Sequence, residues 1–122
     1  MRVEIEVPPE VAAGDPVPIT LRIANLTALP LELHLQGRTV TFDLTVRRGD
    51  TVVWRRLEGE TVQAILQIRT LAPGDALELT HTWDQQDRAG RPAGAGDYTV
   101  SGSVPTDGAP LRAGPVPLRI DG

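Results

Sequence analysis

Cysteine is absent from the 122 residues, which excludes disulfides and thiolate metal sites without fixing the redox compartment. Lysine is absent as well, so all 12 basic side chains are arginines. Aromatic residues make up only 3% of the chain, and a core must therefore be assembled from Val, Ile, Leu and Ala. No excess of positive charge exists: the formal net charge is −4 and the pI about 5.1, which leaves no electrostatic case for nucleic acid or anionic lipid. Long apolar runs are missing, and no segment approaches the length of a membrane span. The opening Met1-Arg2-Val3-Glu4-Ile5-Glu6-Val7 intersperses charge where a secretory signal would be uninterruptedly apolar, so the expectation is a cytoplasmic protein.

What is present is alternation. Apolar and polar residues alternate with period two in nine short stretches, many separated by turn pairs such as Pro-Gly, Gly-Asp and Asp-Gly. A strand sends successive side chains to opposite faces, so each stretch acquires one buried and one wet side. Strands are expected over Arg2–Val7, Val17–Ala24, Leu31–Gln36 (Glu32 and His34 outward), a stretch with Val40, Phe42, Leu44 and Val46 inward and Thr41, Asp43, Thr45 and Arg47 outward, and Thr51–Arg55. Further strands are expected over Val62–Arg69, with Val62, Ala64, Leu66 and Ile68 inward despite Ile65 blurring the pattern, and over Ala76–Trp83, with Leu77, Leu79, His81 and Trp83 on one side. Tyr98–Val104 follows, and a last strand carries Val116, Leu118 and Ile120 behind prolines that suit a sheet edge. Loops are expected through Pro8–Pro16 and from Asp84 to Asp97, the latter mobile because of Gly90, Gly94 and Gly96. The length fits one β-sandwich domain spanning residues 1–122.

No catalytic constellation is legible. Ser101 and Ser103 are the only serines, and both fall on the outer side of an expected strand without a nucleophile-elbow sequence around them. His34 and His81 are not at paired ligand spacing, so no metal site is expected, and the Gly-rich loop lacks the spacing and following Lys of a phosphate cradle. His34 reads as a solvated outward residue, and His81 as a hydrogen-bonded histidine at the end of the core. Trp54 and Trp83 read as core plugs or rim packers. No catalytic residue, metal ligand or cofactor is expected, and the chain reads as a non-enzymatic binding scaffold.

Two resemblances sharpen this. Gly96 and Val100 flank Tyr98 in Gly-Ala-Gly-Asp-Tyr-Thr-Val, which resembles the tyrosine corner of immunoglobulin-like domains, although Gly94 stands where the corner's usual aspartate would be. More widely, the chain carries a Phe42-Asp43 strand, a Val53-Trp54-Arg55 strand, Pro73-Gly74-Asp75, Trp83-Asp84 at a strand end and Gly96-x-Tyr98-x-Val100. Their order resembles the intracellular proteinase inhibitor (BsuPI) family over roughly Val17 to Val104. The resemblance implies an all-β, immunoglobulin-like antiparallel β-sandwich of about seven to nine strands. It also implies stoichiometric blockade of an intracellular serine protease, subtilisin-like in kind, by protein–protein contact.

A tight inhibitor offers a rigid convex loop, because rigidity lowers the entropy lost on binding. The first candidate for that loop is Arg55-Arg56-Leu57-Glu58-Gly59-Glu60, a short turn that adjoining strands can hold still. The second is the Asp84–Asp97 loop, with Arg88, Gly90 and Arg91. Two other classes stay open: an immunoglobulin-like assembly or adhesion module using a sheet face or edge, and a small-ligand binder with a pocket near His81 and Trp83.

Overall fold

A computed structural model describes residues 1–36, 41–58 and 66–122, with Gln36 described in its backbone only. Ten strands lie among the described residues: β1 (Arg2–Glu6), β2 (Glu10–Ala12), β3 (Val17–Ala24), β4 (Leu31–Gln36), β5 (Asp43–Arg48), β6 (Thr51–Arg55), β7 (Leu66–Leu71), β8 (Ala76–Trp83), β9 (Gly96–Val104) and β10 (Leu111–Asp121). They form a three-stranded sheet in the order β1-β3-β8, a five-stranded sheet β2-β10-β9-β5-β6, and a ribbon β4-β7. Every pairing is antiparallel except β2 with β10.

The alternation of the sequence becomes the core directly. Ile19, Leu21 and Ile23 of β3 and Trp83 of β8 are fully buried, facing Leu44 and Val46 of β5, Val100 and Val104 of β9, and Leu118 and Ile120 of β10. Two sheets packed in this way are an immunoglobulin-like sandwich with an almost wholly aliphatic filling. Gly102 interrupts the inward row of β9 because a Cβ there would come within 3.1 Å of the Leu21 side chain.

Several expectations are corrected. Residues 8–16 do not form only a loop. The chain crosses between sheets at Pro8-Pro9 and adds β2 alongside the end of β10, where the Arg119 N–H donates to the Pro9 carbonyl (2.9 Å) and the Ala13 N–H to Asp121 (2.7 Å). The last strand is longer than expected and is interior, flanked by β9 and β2. Its Pro115 and Pro117 precede Arg119–Asp121, the stretch that β2 pairs with, so their missing N–H groups cost no ladder bond there.

Leu66 and Ile68 do not face inward: they are 55% and 53% exposed. The β4–β7 register explains this. Leu33 and Leu35 are buried and stand opposite Arg69 and Gln67, so Ile68, opposite His34, belongs to the other face. The alternation was real, but the ribbon turns its apolar β4 side to the core and leaves the apolar β7 side to water. Val40, Val62, Ala64 and Ile65 lie outside the described residues.

Candidate protein-contact site

The β5–β6 hairpin turns at Gly49, whose positive φ of 60° suits a residue without a Cβ, and β6 forms one edge of the five-stranded sheet. The chain leaves this edge at Arg55 and turns through Arg56, Leu57 and Glu58. Asp43, at the start of β5, holds that turn. One carboxylate oxygen accepts from Arg55 Nε (3.1 Å) and Nη2 (2.5 Å), and the other accepts from the Leu57 N–H (3.1 Å). Asp43 therefore lies on the outer face, as its alternation requires, yet is only 9% exposed. Its hydrogen bond and charge raise the Arg55 pKa above its already high ordinary value, so this cation is permanent.

Arg56 folds the other way. Its guanidinium lies 4.0 Å from the centroid of the Phe42 ring and donates through Nη1 to the Phe42 carbonyl (2.7 Å), while its backbone N–H donates to Leu44 (3.0 Å). Its Nε has no partner among the described residues. Leu57 is half-buried and Glu58 exposed. Gly59 and Glu60, the remainder of the expected loop, lie outside the described residues.

The Asp84–Asp97 segment is held more firmly than its glycine content suggests. Gln85 is buried with φ +62°. Its amide donates to the Ala12 (2.8 Å) and Asp15 (2.7 Å) carbonyls, and its oxygen accepts from Gly14 N–H (3.0 Å). Trp83 Nε1 donates to Gln86 (3.0 Å). Asp87 Oδ1 accepts from the Ala89 (2.9 Å) and Arg91 (3.0 Å) N–H groups and closes the tip. At the far end the Tyr98 hydroxyl lies 2.7 Å from the carbonyls of both Ala93 and Gly94, the tyrosine-corner bond made without the usual aspartate.

The two segments, separate in sequence, meet. Arg88 pairs with Glu58 through its guanidinium, and its N–H donates to the Val53 carbonyl (3.0 Å), covering part of the otherwise open β6 edge. Between the β5–β6 hairpin and the 84–97 segment runs a groove of about 280 Å³ lined by Val52, Val53, Arg88, Ala89, Ala93 and Tyr98. Gly90 and Arg91 stand exposed at the tip. Arg55, Arg56, Leu57, Glu58 and Arg88 thus gather along the β6 edge, with Gly90 and Arg91 in the loop tip beside Arg88.

Aromatic rings close the gap between the edge strands β8 and β6. His81 stacks on Trp54 (5.6 Å, 14°), Trp54 leans on Trp83 (5.9 Å), and Trp83 meets Tyr98 edge-on (6.3 Å). Burial, aided by the nearby Arg56 charge and opposed by Asp84, pushes His81 below its ordinary value, so it is neutral at neutral pH. His34 is not merely solvated: Nε2 lies 2.7 Å from Glu32 and Nδ1 3.2 Å from Asp107, with the carboxylates on opposite sides of the ring. Among the described residues neither histidine hydrogen-bonds a serine, and no group of three or more His, Cys, Asp or Glu side chains could hold a metal ion. None of their helices is long and apolar enough to cross a membrane.

Sequence reasoning missed Asp43 as an anchor. The available signal was an acid between two inward apolar residues, Phe42 and Leu44, and only the pairing of β5 with β6 brings it to Arg55 and the Leu57 N–H. It also missed the meeting of Glu58 with Arg88.

A sequence model of the intracellular proteinase inhibitor (BsuPI) family matches residues 4–108. No curated protein sequence matches the chain significantly. Among solved structures, the sporulation control protein Spo0M from Bacillus subtilis superposes with a TM-score of 0.53 at 11% identity, covering 99% of this chain and 49% of that one. At that identity the likeness speaks to the fold. The CARDB domain of a Pyrococcus furiosus protein aligns over 97% of this chain and 91% of its own at 17% identity, with a TM-score of 0.49.

Proposed function

Because the chain belongs to the intracellular proteinase inhibitor (BsuPI) family, we propose that it acts without catalysis, as a stoichiometric blocker of a subtilisin-like intracellular serine protease. In this reading residues 1–122 act as one domain in the cytoplasm, needing no cofactor. Arg55-Arg56-Leu57-Glu58-Gly59-Glu60 is the main contact segment, and Arg88, Gly90 and Arg91 contact the same partner beside it.

The observation that carries the proposal is the grip of Asp43 on the turn: one carboxylate takes both the Arg55 side chain and the Leu57 N–H. A segment held from beneath loses little conformational entropy on docking and resists being drawn into a protease as substrate. The Glu58–Arg88 pair joins the second segment to the first, so both can meet one partner.

The test is titration of purified protein into a subtilisin-like intracellular protease. Residual activity should fall linearly and vanish near one equivalent, with the inhibitor recovered uncut. Unchanged activity at micromolar excess removes the reading for that target and favours an assembly module.

A further inference from the structure

On the outer face of the five-stranded sheet, away from the turn tips, the registers assemble a second feature. Ser103 of β9 stands opposite both Asp43 of β5 and Arg112 of β10, and Thr45 of β5 stands opposite both Ser101 of β9 and Arg55 of β6. Arg47, two residues along β5 from Thr45 and on the same face, donates through Nη1 to Ser101 Oγ (3.2 Å). These side chains line a groove of about 360 Å³ whose floor is hydroxyls and buried Gly102, and whose far wall is the irregular stretch of β10 at Gly114-Pro115.

The groove holds three guanidiniums and one carboxylate in a protein whose formal net charge is −4. Asp43 already serves Arg55 and the Leu57 N–H, so it neutralises one cation only. Arg47 and Arg112 have no carboxylate partner among the described residues, whereas Arg2, Arg22, Arg88 and Arg119 do. Two unneutralised guanidiniums facing a floor of three hydroxyl side chains offer forked N–H donors and O–H donors around one small volume. Acceptor oxygens arranged tetrahedrally match such a donor set, and the groove's size is that of a compact ligand rather than a polymer.

From this juxtaposition we propose that the groove across β5, β9 and β10 binds a small tetrahedral oxyanion, phosphate or the phosphate group of a small monoester, between Arg47 and Arg112. Ser101, Ser103 and Thr45 supply hydroxyl donors. Asp43 lies at one end of the groove and is tolerated beside an anion because Arg55 covers its charge. None of the proposed donors belongs to the contact segments, and only Arg55 and its partner Asp43, at one end of the groove, are shared with them.

The test is amide NMR titration of the full chain with inorganic phosphate and with phenyl phosphate, at constant ionic strength and with chloride and acetate as controls. Saturable shifts confined to Thr45, Ser101–Ser103 and Arg112 are expected, and the response of the ester against free phosphate tells which source the site prefers. Arg47→Gln and Arg112→Gln should each weaken binding about tenfold or more, whereas Arg119→Gln at the far end of the same sheet face, where it pairs with Asp97 and Asp121, should leave it unchanged. Unaltered thermal melts would show that the variants stay folded. The proposal is overturned by the lack of saturation below about 10 mM, by variants that bind like the parent, or by shifts centred on Arg2 or Arg119. Shifts caused by an acidic peptide but not by phosphate overturn it too, assigning the face to a protein partner.

Discussion

Replacing Asp43 tests the element on which the contact turn depends. Asp43→Ala strips the acceptor from the Leu57 N–H, a loss comparable to removing a helix cap, about 1 kcal/mol. It also removes the doubly bonded Arg55 pair; because the Arg55 side chain is 46% exposed, screening limits that share to about 0.5–1 kcal/mol. The total, about 1.5–2 kcal/mol, corresponds to roughly 5–10 °C in Tm for a chain of this size. Asp43→Asn keeps an oxygen for Leu57 and loses only the charge, so it should fall between, at about 0.5–1 kcal/mol. Urea unfolding followed by Trp54 and Trp83 fluorescence would measure both, with unchanged m-values indicating the same unfolded reference. Trypsin cleavage after Arg55 or Arg56 should quicken in the same order as stability falls. If both variants stay within about 0.5 kcal/mol of the parent, or Asn costs as much as Ala, the carboxylate does not hold the turn as argued.

Other consequences can be checked on the same protein. His81 has a folded-state pKa below its ordinary value, so on acidification the unfolded chain takes up the proton first. Stability from this site is therefore full above about pH 6.5 and is lost as pH falls from there toward the folded value. His81→Phe keeps a ring on Trp54 and should flatten that part of the curve, and parallel curves for parent and variant between about pH 7.5 and 5 would refute the assignment. Ile68→Glu should cost less than about 0.5 kcal/mol, whereas Leu33→Glu on the opposite face of the ribbon should prevent folding; equal effects would reverse the faces. Tyr98→Phe removes the hydroxyl between the Ala93 and Gly94 carbonyls and should lower stability by about 1 kcal/mol in denaturant melts, while an unshifted midpoint would show the corner bond to be idle.

How much of this was legible in the sequence depended on whether the relevant partner lay within one strand. The period-two pattern of Val17–Ala24 or Tyr98–Val104 is complete within a single strand, and the structure buries those positions as read. The Leu66/Ile68 alternation was equally clear, yet it could not say which side of the ribbon meets the core. That choice was made by β4, whose Leu33 and Leu35 occupy the inner face and leave β7 the outer one. Arg55 and Arg56 were visible as a short charged turn, but nothing local shows that one pairs with Asp43 while the other lies over Phe42.

The identity of the longer strands, the largely aliphatic filling and the candidate turn residues were set by the amino-acid sequence alone, because alternation and turn chemistry act between neighbours a few residues apart. Only the tertiary structure decided that β2 exists, that β10 is interior, that Glu58 reaches Arg88, and that Arg47 and Arg112 face one groove. Each of these depends on strand register and sheet order, which are chosen by the packing of the whole sandwich and bring together residues that have no relation along the chain.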